Sequence, residues 1–378
     1  MCQVIFIIRK CVELKSVVHV ITTIARGGAE NQLKVVVREQ VKSGYKVKVI
    51  YLKGIPELLI ELQIAGAEVI DVVAGKNPLS QVHSLKRFFK NYHGVVHAHL
   101  PRAELLSALT SPRDSLVVSR HNSEPFFPIA PTFLSRILSR FVESKATRVV
   151  AISGAVKKYL LDNGEISTSG KIEVVYYGFD ELLTKTTTKT KQNSNKDFVI
   201  GTVGRLVHQK DYPTLFAAFK KFATGNHSAK LLIVGDGPLK KQLVELARKL
   251  GIEKDIIWFG RTSEVFSIIK QMDLFVLASK YEGFGLVLLE AIQAGIPVVA
   301  ANNSAIPEVL GVNSANLFRT GDSADLYSKM KDFQSEPKRG KLIEAQFSRL
   351  SCFSPENMIT KMNLVYDPIL ARLSKTFQ

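Results

Sequence analysis

Short apolar segments rich in Val and Ile recur along the chain, and segments with a helical spacing of apolar residues lie between them. Continuous apolar strands of this kind are typical of parallel sheets that helices cover on both faces. The alternation predicts βαβ units with right-handed crossovers. In the first half of the chain, the predicted strands are residues 17–22, 47–52, 68–73, 94–99, 116–121, 148–153 and 172–178.

The alternation is interrupted once and then starts again. Residues 181–197 are rich in Thr, Lys and Asn and have apolar residues only at their start, which predicts a linker or an exposed loop. After them, the predicted strands are residues 198–205, 230–237, 255–261, 273–279 and 297–302. We therefore predict an α/β protein with two Rossmann-like, doubly wound domains, residues 1–180 and residues 198–353.

The two ends of the chain carry separate signals. Residues 354–378 predict a helix with Ser354 as the N-cap and Pro355 at its first position, and Pro368 is expected to end or kink it near Asp367. The first 16 residues hold a short apolar run followed by charge, without a small-residue cleavage site. We interpret them as an extra stub or the product of an upstream start codon, with a signal peptide as the alternative.

Composition narrows the class of protein. The length of 378 residues suits two domains better than one, and no apolar run reaches the roughly 20 residues that span a bilayer. The three cysteines lack the spacing of a metal or redox site, which fits a reducing cytoplasm. A net charge of +17 predicts an anionic partner: a nucleic acid, an anionic membrane surface or a phosphorylated substrate. No nucleic-acid-binding module is recognisable, so nucleic acid is not expected.

Candidate chemistry follows the predicted strands, where ligands bind in doubly wound sheets. Gly27 and Gly28 precede a helix whose N-terminus favours an anion; a tight turn is the alternative. Arg205 lies at the end of the strand 198–205 and Lys210 in the loop after it, and both precede a helix with Asp211 as its expected N-cap. Two cations at this place suit a diphosphate, and two solvated surface charges are the alternative.

Two glutamates stand out in an otherwise uncharged segment after the strand 273–279. Glu282 lies in the loop "KYEGFG", and Glu290 lies about two helical turns further on among apolar residues. A carboxylate in this setting suits the vicinal hydroxyls of a sugar, whereas a pair of solvated glutamates is the alternative. The backbone N–H groups between them lack intrahelical partners and suit a phosphate. These groups belong to Gly283, Phe284, Gly285 and Leu286.

A third glycine pattern is weaker. The segment "IVGDGPL" has a Gly-x-Gly before a helix but lacks the third glycine of a dinucleotide-binding fingerprint. A nicotinamide-dependent dehydrogenase is therefore disfavoured.

The segment "YEGFGLVLLEAIQAGIPVVA", with Glu282 and Glu290 in an E-x7-E arrangement, resembles the signature of retaining nucleotide-sugar glycosyltransferases of family 4. "RGGAE", "VVHAHLPRA", "VVAISGAVKKYL", "VGRLVHQKD" and "VGDGPL" resemble other landmarks of that family in the same order. The resemblance covers nearly the whole chain from Val17. It implies the GT-B fold, in which the two domains face a central cleft and the C-terminal helix crosses back to the N-terminal domain.

The resemblance also implies roles for individual residues. Arg205 and Lys210 would stabilise the donor diphosphate, Glu282 would bind the transferred sugar, and Glu290 would bind the ribose. The remaining implied donor contacts are Gly27 and Gly28 at the diphosphate, Gly283, Phe284, Gly285 and Leu286 at the sugar or phosphate, Arg261 near the base, and His99 near the donor sugar and acceptor. His97 lies two residues before His99, and the sequence does not distinguish which is better placed.

The implied reaction is sugar transfer with retained configuration from a nucleotide-diphosphate sugar, with UDP-sugars favoured. The acceptor would be a glycan or a lipid-linked sugar of a surface polysaccharide, lipopolysaccharide or capsule. The leaving phosphate can accept the acceptor's proton, so its electrostatic stabilisation is the main task. No Asp-x-Asp motif follows a predicted strand, so we expect metal independence and no cofactor. A non-catalytic nucleotide-sugar-binding protein and a basic nucleic-acid-binding protein are the alternatives.

Two segments depart from a simple reading. In "YYGFD", Tyr177 stands where the family often has Asn, which puts a polar role of this turn in doubt. Residues 131–148 form an apolar stripe with Arg136, Arg140 and Lys145 nearby, and they are a candidate contact with an anionic membrane. An ordinary core-facing helix is the alternative. The protein is thus expected in the cytoplasm or at the inner face of the cytoplasmic membrane.

Overall fold

The computed structural model describes residues 15–180, 197–225, 228–312 and 314–375. The chain divides into two compact units, of which the first joins Met1–Asp180 to Phe353–Gln378 and the second is Glu181–Cys352. The predicted linker, residues 181–197, lies outside the described residues except for Asp197, and the N-terminal stub lies outside them except for Lys15 and Ser16.

The first unit contains a seven-stranded parallel sheet. Its strands are β1 (Ser16–Ile21), β2 (Lys46–Tyr51), β3 (Glu68–Ile70), β4 (Val95–His99), β5 (Leu116–Arg120), β6 (Arg148–Ala151) and β7 (Ile172–Val174). Their spatial order is β3-β2-β1-β4-β5-β6-β7, so the order reverses between β1 and β4. Every strand predicted in this half is present, but β3 ends three residues and β7 four residues before the predicted boundaries because their chains leave the sheet.

The helices that connect consecutive strands cover this sheet. They are α1 (Gly28–Lys42), α2 (Leu59–Ile64), α3 (Pro78–Phe89), α4 (Pro101–Thr110), α5 (Thr132–Lys145) and α6 (Gly154–Asp162). The inner strands β1, β4, β5 and β6 are almost wholly buried, as the continuous apolar segments predicted, whereas the edge strands β3 and β7 are only partly buried.

The second unit repeats the plan with six parallel strands. They are β8 (Phe198–Val203), β9 (Ala229–Val234), β10 (Ile256–Gly260), β11 (Leu274–Leu277), β12 (Val298–Ala301) and β13 (Leu317–Phe318), in the order β10-β9-β8-β11-β12-β13. The helices are α7 (Tyr212–Thr224), α8 (Lys240–Leu250), α9 (Val265–Ile269), α10 (Leu286–Gln293), α11 (Ile306–Leu310), α12 (Ser323–Asp332) and α13 (Glu336–Leu350). The sequence did not predict β13, because two residues are too short for a periodic signal.

The C-terminal helix α14 (Pro355–Lys375) belongs to the first unit and packs on α1, which confirms that it crosses back to the N-terminal domain. The Ser354 hydroxyl caps it by accepting from the N–H of Asn357 at 3.2 Å. Pro368 was expected to end or kink the helix near Asp367; the end is wrong, since the helix continues through it, and the kink stays a prediction. Burial of Ile369 and Leu370 just beyond offsets the backbone hydrogen bond that proline removes.

Helix α5 turns its apolar stripe away from the core of its unit. Phe133, Leu134 and Ile137 are exposed by 66%, 40% and 57%, whereas Ser135 and Ser139 are buried. The buried polar side is satisfied by neighbouring loops; the Ser135 hydroxyl, for example, accepts from the N–H of Phe127 at 2.9 Å. For this part of α5, the alternative of an ordinary core-facing helix is therefore wrong. Among the described residues, no helix is both long and apolar enough to span a bilayer.

Candidate functional site

In the second unit, the loops after β8 and β11 meet where the strand order of the sheet reverses. The Lys210 ammonium lies 2.5 Å from Glu282 Oε1, and the Ser279 hydroxyl donates to the same oxygen at 2.6 Å. The two charged side chains are exposed by only 15% and 9%. Glu282 and Lys210 are therefore a largely desolvated ion pair, not solvated surface charges.

Backbone contacts hold this pair between three loops. The Gln209 amide donates to the Tyr281 carbonyl at 2.8 Å, and the Glu282 N–H donates to the Ser304 hydroxyl at 2.8 Å. Asn303 donates to the Ser279 carbonyl at 2.8 Å. The sequence reasoning missed Asn303 and Ser304, although the polar run "NNS" at the end of the predicted strand 297–302 was the signal that could have found them.

Arg205 differs from Lys210 in its surroundings. Its side chain is exposed, and it has no hydrogen bond or ion pair within the described part of the chain. Lys210 is already paired with Glu282, which neutralises part of its charge. The guanidinium of Arg205 has no such partner among the described residues, so all its N–H donors can bind an incoming anion. Arg261 is also exposed and follows Gly260, which has a φ of +83°.

Helix α10 begins beside the ion pair. Gly285 is its N-cap and has a φ of +93°, a backbone conformation that favours glycine. Phe284 is buried, which anchors the loop, and the helix starts at Leu286. Glu290 is half-buried in α10, and burial raises the pKa of its carboxyl group. The dipole and the first N–H groups of α10 thus point toward the loop that holds Glu282.

Glycines after β9 serve loop packing. A Cβ atom at Gly235 would lie 2.0 Å from the Gly204 carbonyl oxygen, and one at Gly237 would lie 2.6 Å from the Leu206 carbonyl oxygen. The Leu206 N–H donates to the Asp236 carbonyl at 3.0 Å. These glycines therefore let the loop after β9 pack closely against the backbone next to Arg205. This packing role explains the Gly-x-Gly without a dinucleotide-binding fingerprint.

In the first unit, Gly27 is the N-cap of α1 with an extended φ of −154°. A Cβ atom at Gly27 would lie 2.4 Å from Glu30 Oε2, whereas a Cβ atom at Gly28 would meet nothing within 4 Å. The Glu30 carboxyl therefore lies over the N-terminus of α1, and its burial raises its pKa. A phosphate arriving at Gly28 would require the Glu30 carboxyl to move or to be protonated.

His99, at the end of β4, belongs to a chain of histidines with the buried His19 of β1 and the half-buried His121 just after β5. His19 Nδ1 lies 2.9 Å from His99 Nε2, and His99 Nδ1 lies 3.2 Å from His121 Nε2. The chain ends at Gln40, 2.8 Å from His19 Nε2, and at Tyr177, whose hydroxyl lies 2.6 Å from His121 Nδ1. Both ring nitrogens of His99 are thus engaged within the unit.

The hydrogen bonds of this chain run in one direction. Gln40 Oε1 can only accept, so His19 donates from Nε2 and accepts at Nδ1. His99 must then donate from Nε2, His121 must donate from Nε2 to His99, and Tyr177 must donate to His121. Because burial lowers the pKa of His19 to about 4, that of His121 to about 3 and that of His99 well below its usual value, each ring carries a single proton at neutral pH.

Tyr177 therefore has a polar role, and the doubt that its departure from the family pattern raised was misplaced. A phenol reaches His121 where the shorter Asn of the family would stand. His97, the alternative to His99, is tied to the Tyr366 hydroxyl at 2.5 Å and to the Ser119 hydroxyl at 2.7 Å. Sequence reasoning missed His19, although His19 and His97 face each other across β1 and β4.

The same histidines have the spacing of a metal site. Ligand nitrogens of His19, His97 and His99 lie within 4.8 Å of one another. Every ring nitrogen of the three already has a hydrogen-bond partner, so a metal ion would have to displace part of the network. The residues therefore fit a hydrogen-bonded core better than a metal centre, and metal independence stays a prediction.

Comparison with known proteins adds the family. The family model described as Glycosyltransferase Family 4 matches residues 26–181, and the model described as Glycosyl transferases group 1 matches residues 184–348. N-acetyl-alpha-D-glucosaminyl L-malate synthase of Bacillus anthracis is 26% identical over 292 residues, covering 73% of this chain and 75% of that protein. The capsular polysaccharide biosynthesis glycosyltransferase CapM of Staphylococcus aureus is 26% identical over 210 residues, covering 53% of this chain and 55% of CapM.

A solved structure agrees with the fold. Anabaena HepE in complex with UDP and glucose superposes with a TM-score of 0.77 at 21% identity, over 92% of this chain and 98% of HepE. The two sheets of this chain thus have the architecture of a GT-B protein, which confirms the fold expected from the sequence.

Proposed function

The chain belongs to the glycosyltransferases of family 4, and on that premise we propose that it moves a sugar from a UDP-sugar to a glycan or lipid-linked acceptor, with retention of configuration, in cell-surface polysaccharide assembly. The observation that carries the proposal is the desolvated Lys210–Glu282 pair beside the N-terminus of α10. The complex of HepE with UDP and glucose supports the choice of donor, and the name of CapM supports the choice of pathway.

The charges suit stabilisation of a leaving diphosphate. The Lys210 ammonium has three N–H donors and uses one on Glu282, so others remain for a phosphate oxygen. Arg205 adds a planar fork of donors with no competing anion within the described residues. As the bond between the anomeric carbon and the phosphate oxygen breaks, these cations meet the negative charge that develops.

The proton balance requires no separate base. The acceptor hydroxyl forms the new bond on the face that the phosphate leaves, and its proton passes to a phosphate oxygen. Glu282, held in place by Lys210 and Ser279, presents its second carboxylate oxygen to hydroxyls of the transferred sugar. Because protein cations supply the charge, we expect chelators to leave activity unchanged.

The remaining donor contacts follow from α10. Gly283, Phe284, Gly285 and Leu286 would offer backbone N–H groups to the sugar or phosphate, and the half-buried Glu290 would accept from the ribose hydroxyls. Gly27, Gly28, Arg261 and His99 stay predictions from the family resemblance.

Helix α5 supports a peripheral contact with an anionic membrane at the cytoplasmic face. Its exposed Phe133, Leu134 and Ile137 lie on a helix that also carries Arg136 and Arg140. Apolar side chains that insert at the headgroup level, flanked by cations, are typical of interfacial helices. A lipid-linked acceptor would place the enzyme at this surface.

The test uses the full chain with UDP, GDP and ADP in thermal-shift assays, followed by acceptor-free hydrolysis of a panel of UDP-sugars. UDP is expected to raise the Tm, and one UDP-sugar is expected to be hydrolysed. Glu282→Ala should abolish hydrolysis, whereas Glu245→Ala, an exposed glutamate of the same unit, should leave it unchanged. Wild-type turnover in Glu282→Ala would contradict the site; UDP binding without turnover of any UDP-sugar would indicate a non-catalytic binding protein.

A further inference from the structure

The loop after β12 contains a residue whose backbone conformation is unusual for its type. Ser304 has a φ of +45°, in the left-handed region that glycine adopts freely and that residues with a Cβ atom mostly avoid. Such a conformation is costly, and it persists only where the surrounding contacts over-determine it. The contacts of the Ser304 side chain therefore indicate why a serine stands here in place of a glycine.

The Ser304 hydroxyl contacts the loop that carries Glu282. It accepts from the Glu282 N–H at 2.8 Å and donates to Asn303 Oδ1 at 2.8 Å. A glycine at this position would relieve the backbone, but it would remove the acceptor of the Glu282 N–H. The unfavourable φ is thus coupled to a hydrogen bond that only a side chain can make.

Four residues close a ring of hydrogen bonds around Glu282. Asn303 Nδ2 donates to the Ser279 carbonyl at 2.8 Å, and the Ser279 hydroxyl donates to Glu282 Oε1 at 2.6 Å. The Glu282 N–H then donates to Ser304, which donates to Asn303. This hydrogen-bond ring fixes both the backbone and the carboxylate of Glu282, and Lys210 joins it from outside at Oε1.

Asn303 ties the ring to the end of the sheet. Its N–H donates to the carbonyl of Ala301, the last residue of β12, at 3.0 Å, and its Nδ2 also donates to the Thr320 hydroxyl, just after β13, at 2.8 Å. Hydrogen bonds in a connected network polarise one another, so the loss of one member weakens the others. The position of Glu282 therefore depends on side chains of a loop 20 residues further along the chain.

The ring bears on the transferred sugar more than on the nucleotide. Glu282 Oε1 is engaged by Lys210 and Ser279, so Oε2 is the oxygen that would accept from a sugar hydroxyl. Rates of group transfer depend steeply on such placement, since a shift of about 1 Å can cost about 100-fold. A residue that sets the position of Glu282 should thus change turnover without changing the affinity for UDP.

We propose that Ser304 and Asn303 are positioning residues that hold the Glu282 carboxylate for the transferred sugar, and that the left-handed backbone at Ser304 is the cost of placing its hydroxyl under the Glu282 N–H. The inference rests on the proposed function, because it names the support of the same donor site. Neither residue has to touch the donor for this role.

The test compares two substitutions at Ser304 in the full chain. Ser304→Ala removes the hydroxyl and keeps a Cβ atom at positive φ, whereas Ser304→Gly removes both. Ser304→Ala should lower the Tm, and Ser304→Gly should recover it at least in part. Both should lower kcat about tenfold, with the Kd for UDP unchanged. The reaction is acceptor-free hydrolysis of UDP-glucose, UDP-galactose and UDP-N-acetylglucosamine.

Hydrogen–deuterium exchange gives a readout that needs no turnover. Residues 280–285 should exchange faster in both variants than in the wild type, because the Glu282 N–H has lost its acceptor. Asp114→Ala and Asp114→Gly are the matched controls, since Asp114 is exposed in the first unit and has a φ of +60°. They should leave both hydrolysis and the exchange of residues 280–285 unchanged.

The outcomes separate this inference from the donor assignment. If the wild type hydrolyses a UDP-sugar and Ser304→Gly recovers kcat together with the Tm, Ser304 has only a structural role and the inference is wrong while the proposed function stands. Wild-type exchange of residues 280–285 in both variants would overturn the inference as well. If the wild type hydrolyses none of the three UDP-sugars, the proposed function fails, and the inference fails with it.

Discussion

The two sheets have the same strand order around their first strand, and in each the order reverses beside that strand. The side chains found at this reversal point differ between the two units. In the first unit, neutral histidines from β1 and β4, with His121 just after β5, fill it and satisfy one another. In the second, the loops after β8 and β11 carry the Lys210–Glu282 ion pair and the glycine-capped start of α10. The same topology therefore supports a neutral core of histidines in one unit and a largely desolvated ion pair in the other.

In contrast to the histidines of the first unit, the second unit places charged side chains at the point where the strand order reverses. Neutral imidazoles are stable in a dry core because each nitrogen is paired, but they contribute no net charge. The ion pair and Arg205 supply charge at the edge of their sheet. Loss of Lys210 should thus damage the chemistry, whereas loss of a histidine partner should first damage the stability of its unit.

The largest expected effect comes from breaking the ion pair. Lys210→Met leaves the Glu282 carboxylate buried without its cation and removes a donor to the leaving phosphate. We expect kcat/KM for transfer to fall by about 100-fold or more and the Tm to fall as well. Lys241→Met, at an exposed position of the same unit, is the control and should change neither.

A double variant sharpens this result. Lys210→Met combined with Glu282→Gln removes both charges, so it should recover much of the Tm that Lys210→Met loses. Transfer should stay as low as in Lys210→Met. Recovery of transfer together with the Tm would show that the pair has only a structural role.

The second expected effect is a pH dependence of stability in the first unit, which contains the buried histidines. His19, His97, His99 and His121 are neutral when folded because burial lowers their pKa, to about 4 for His19 and about 3 for His121. The unfolded chain binds protons near its ordinary pKa of about 6.5. The free energy of unfolding is therefore at its full value above pH 6.5, where the histidines are neutral in both states. It falls as the pH drops toward 4, by up to about 1.4 kcal/mol per pH unit for each histidine.

The chain offers two probes for this loss. Its single tryptophan, Trp258, lies in β10 and reports the second unit by fluorescence, while far-UV circular dichroism reports both units. In urea at pH 5, a circular-dichroism transition should precede the fluorescence transition, and at pH 7.5 the gap should narrow. His83→Gln, at an exposed histidine, should leave this behaviour unchanged. A circular-dichroism midpoint that stays constant from pH 7.5 to 5 would contradict the neutral histidine core.

The smallest effect concerns the end of the histidine chain. Tyr177→Phe removes the hydroxyl that donates to His121 and leaves a largely buried nitrogen without its donor, at a cost of about 1–3 kcal/mol in the free energy of unfolding. Transfer should fall only a few-fold and UDP affinity should not change. Tyr51→Phe, at a buried tyrosine of β2, is the control in urea melts. Equal losses in the free energy of unfolding of the two variants would mean that the hydrogen bond from Tyr177 to His121 adds no stability of its own.

The sequence predicted these features unevenly. Strands with continuous Val and Ile appear close to their predicted positions, and the position of Lys210 and Glu282 after β8 and β11 follows from the topology. The pairing of the two side chains and the support from Ser304 depend on three loops that meet only in the folded unit.

The buried face of α5 was not predictable from its own apolar stripe. Ser135 and Ser139 are buried because residues outside the helix, Phe127 and Glu165, present an N–H and a carboxylate group to them. The continuation of α14 through Pro368 similarly depends on packing against α1, which local helix propensity does not contain.

The C-terminal helix has a consequence for the order of events during synthesis. The Tyr366 hydroxyl on α14 accepts from Gln40 and is hydrogen-bonded to His97, so the polar core of the first unit is complete only after almost the whole chain has left the ribosome. The second unit is contiguous in sequence and can fold while the first still waits for its last helix. Until then, the nascent first unit exposes the apolar side of α1 that α14 later covers, and this interval is when a chaperone would be most needed.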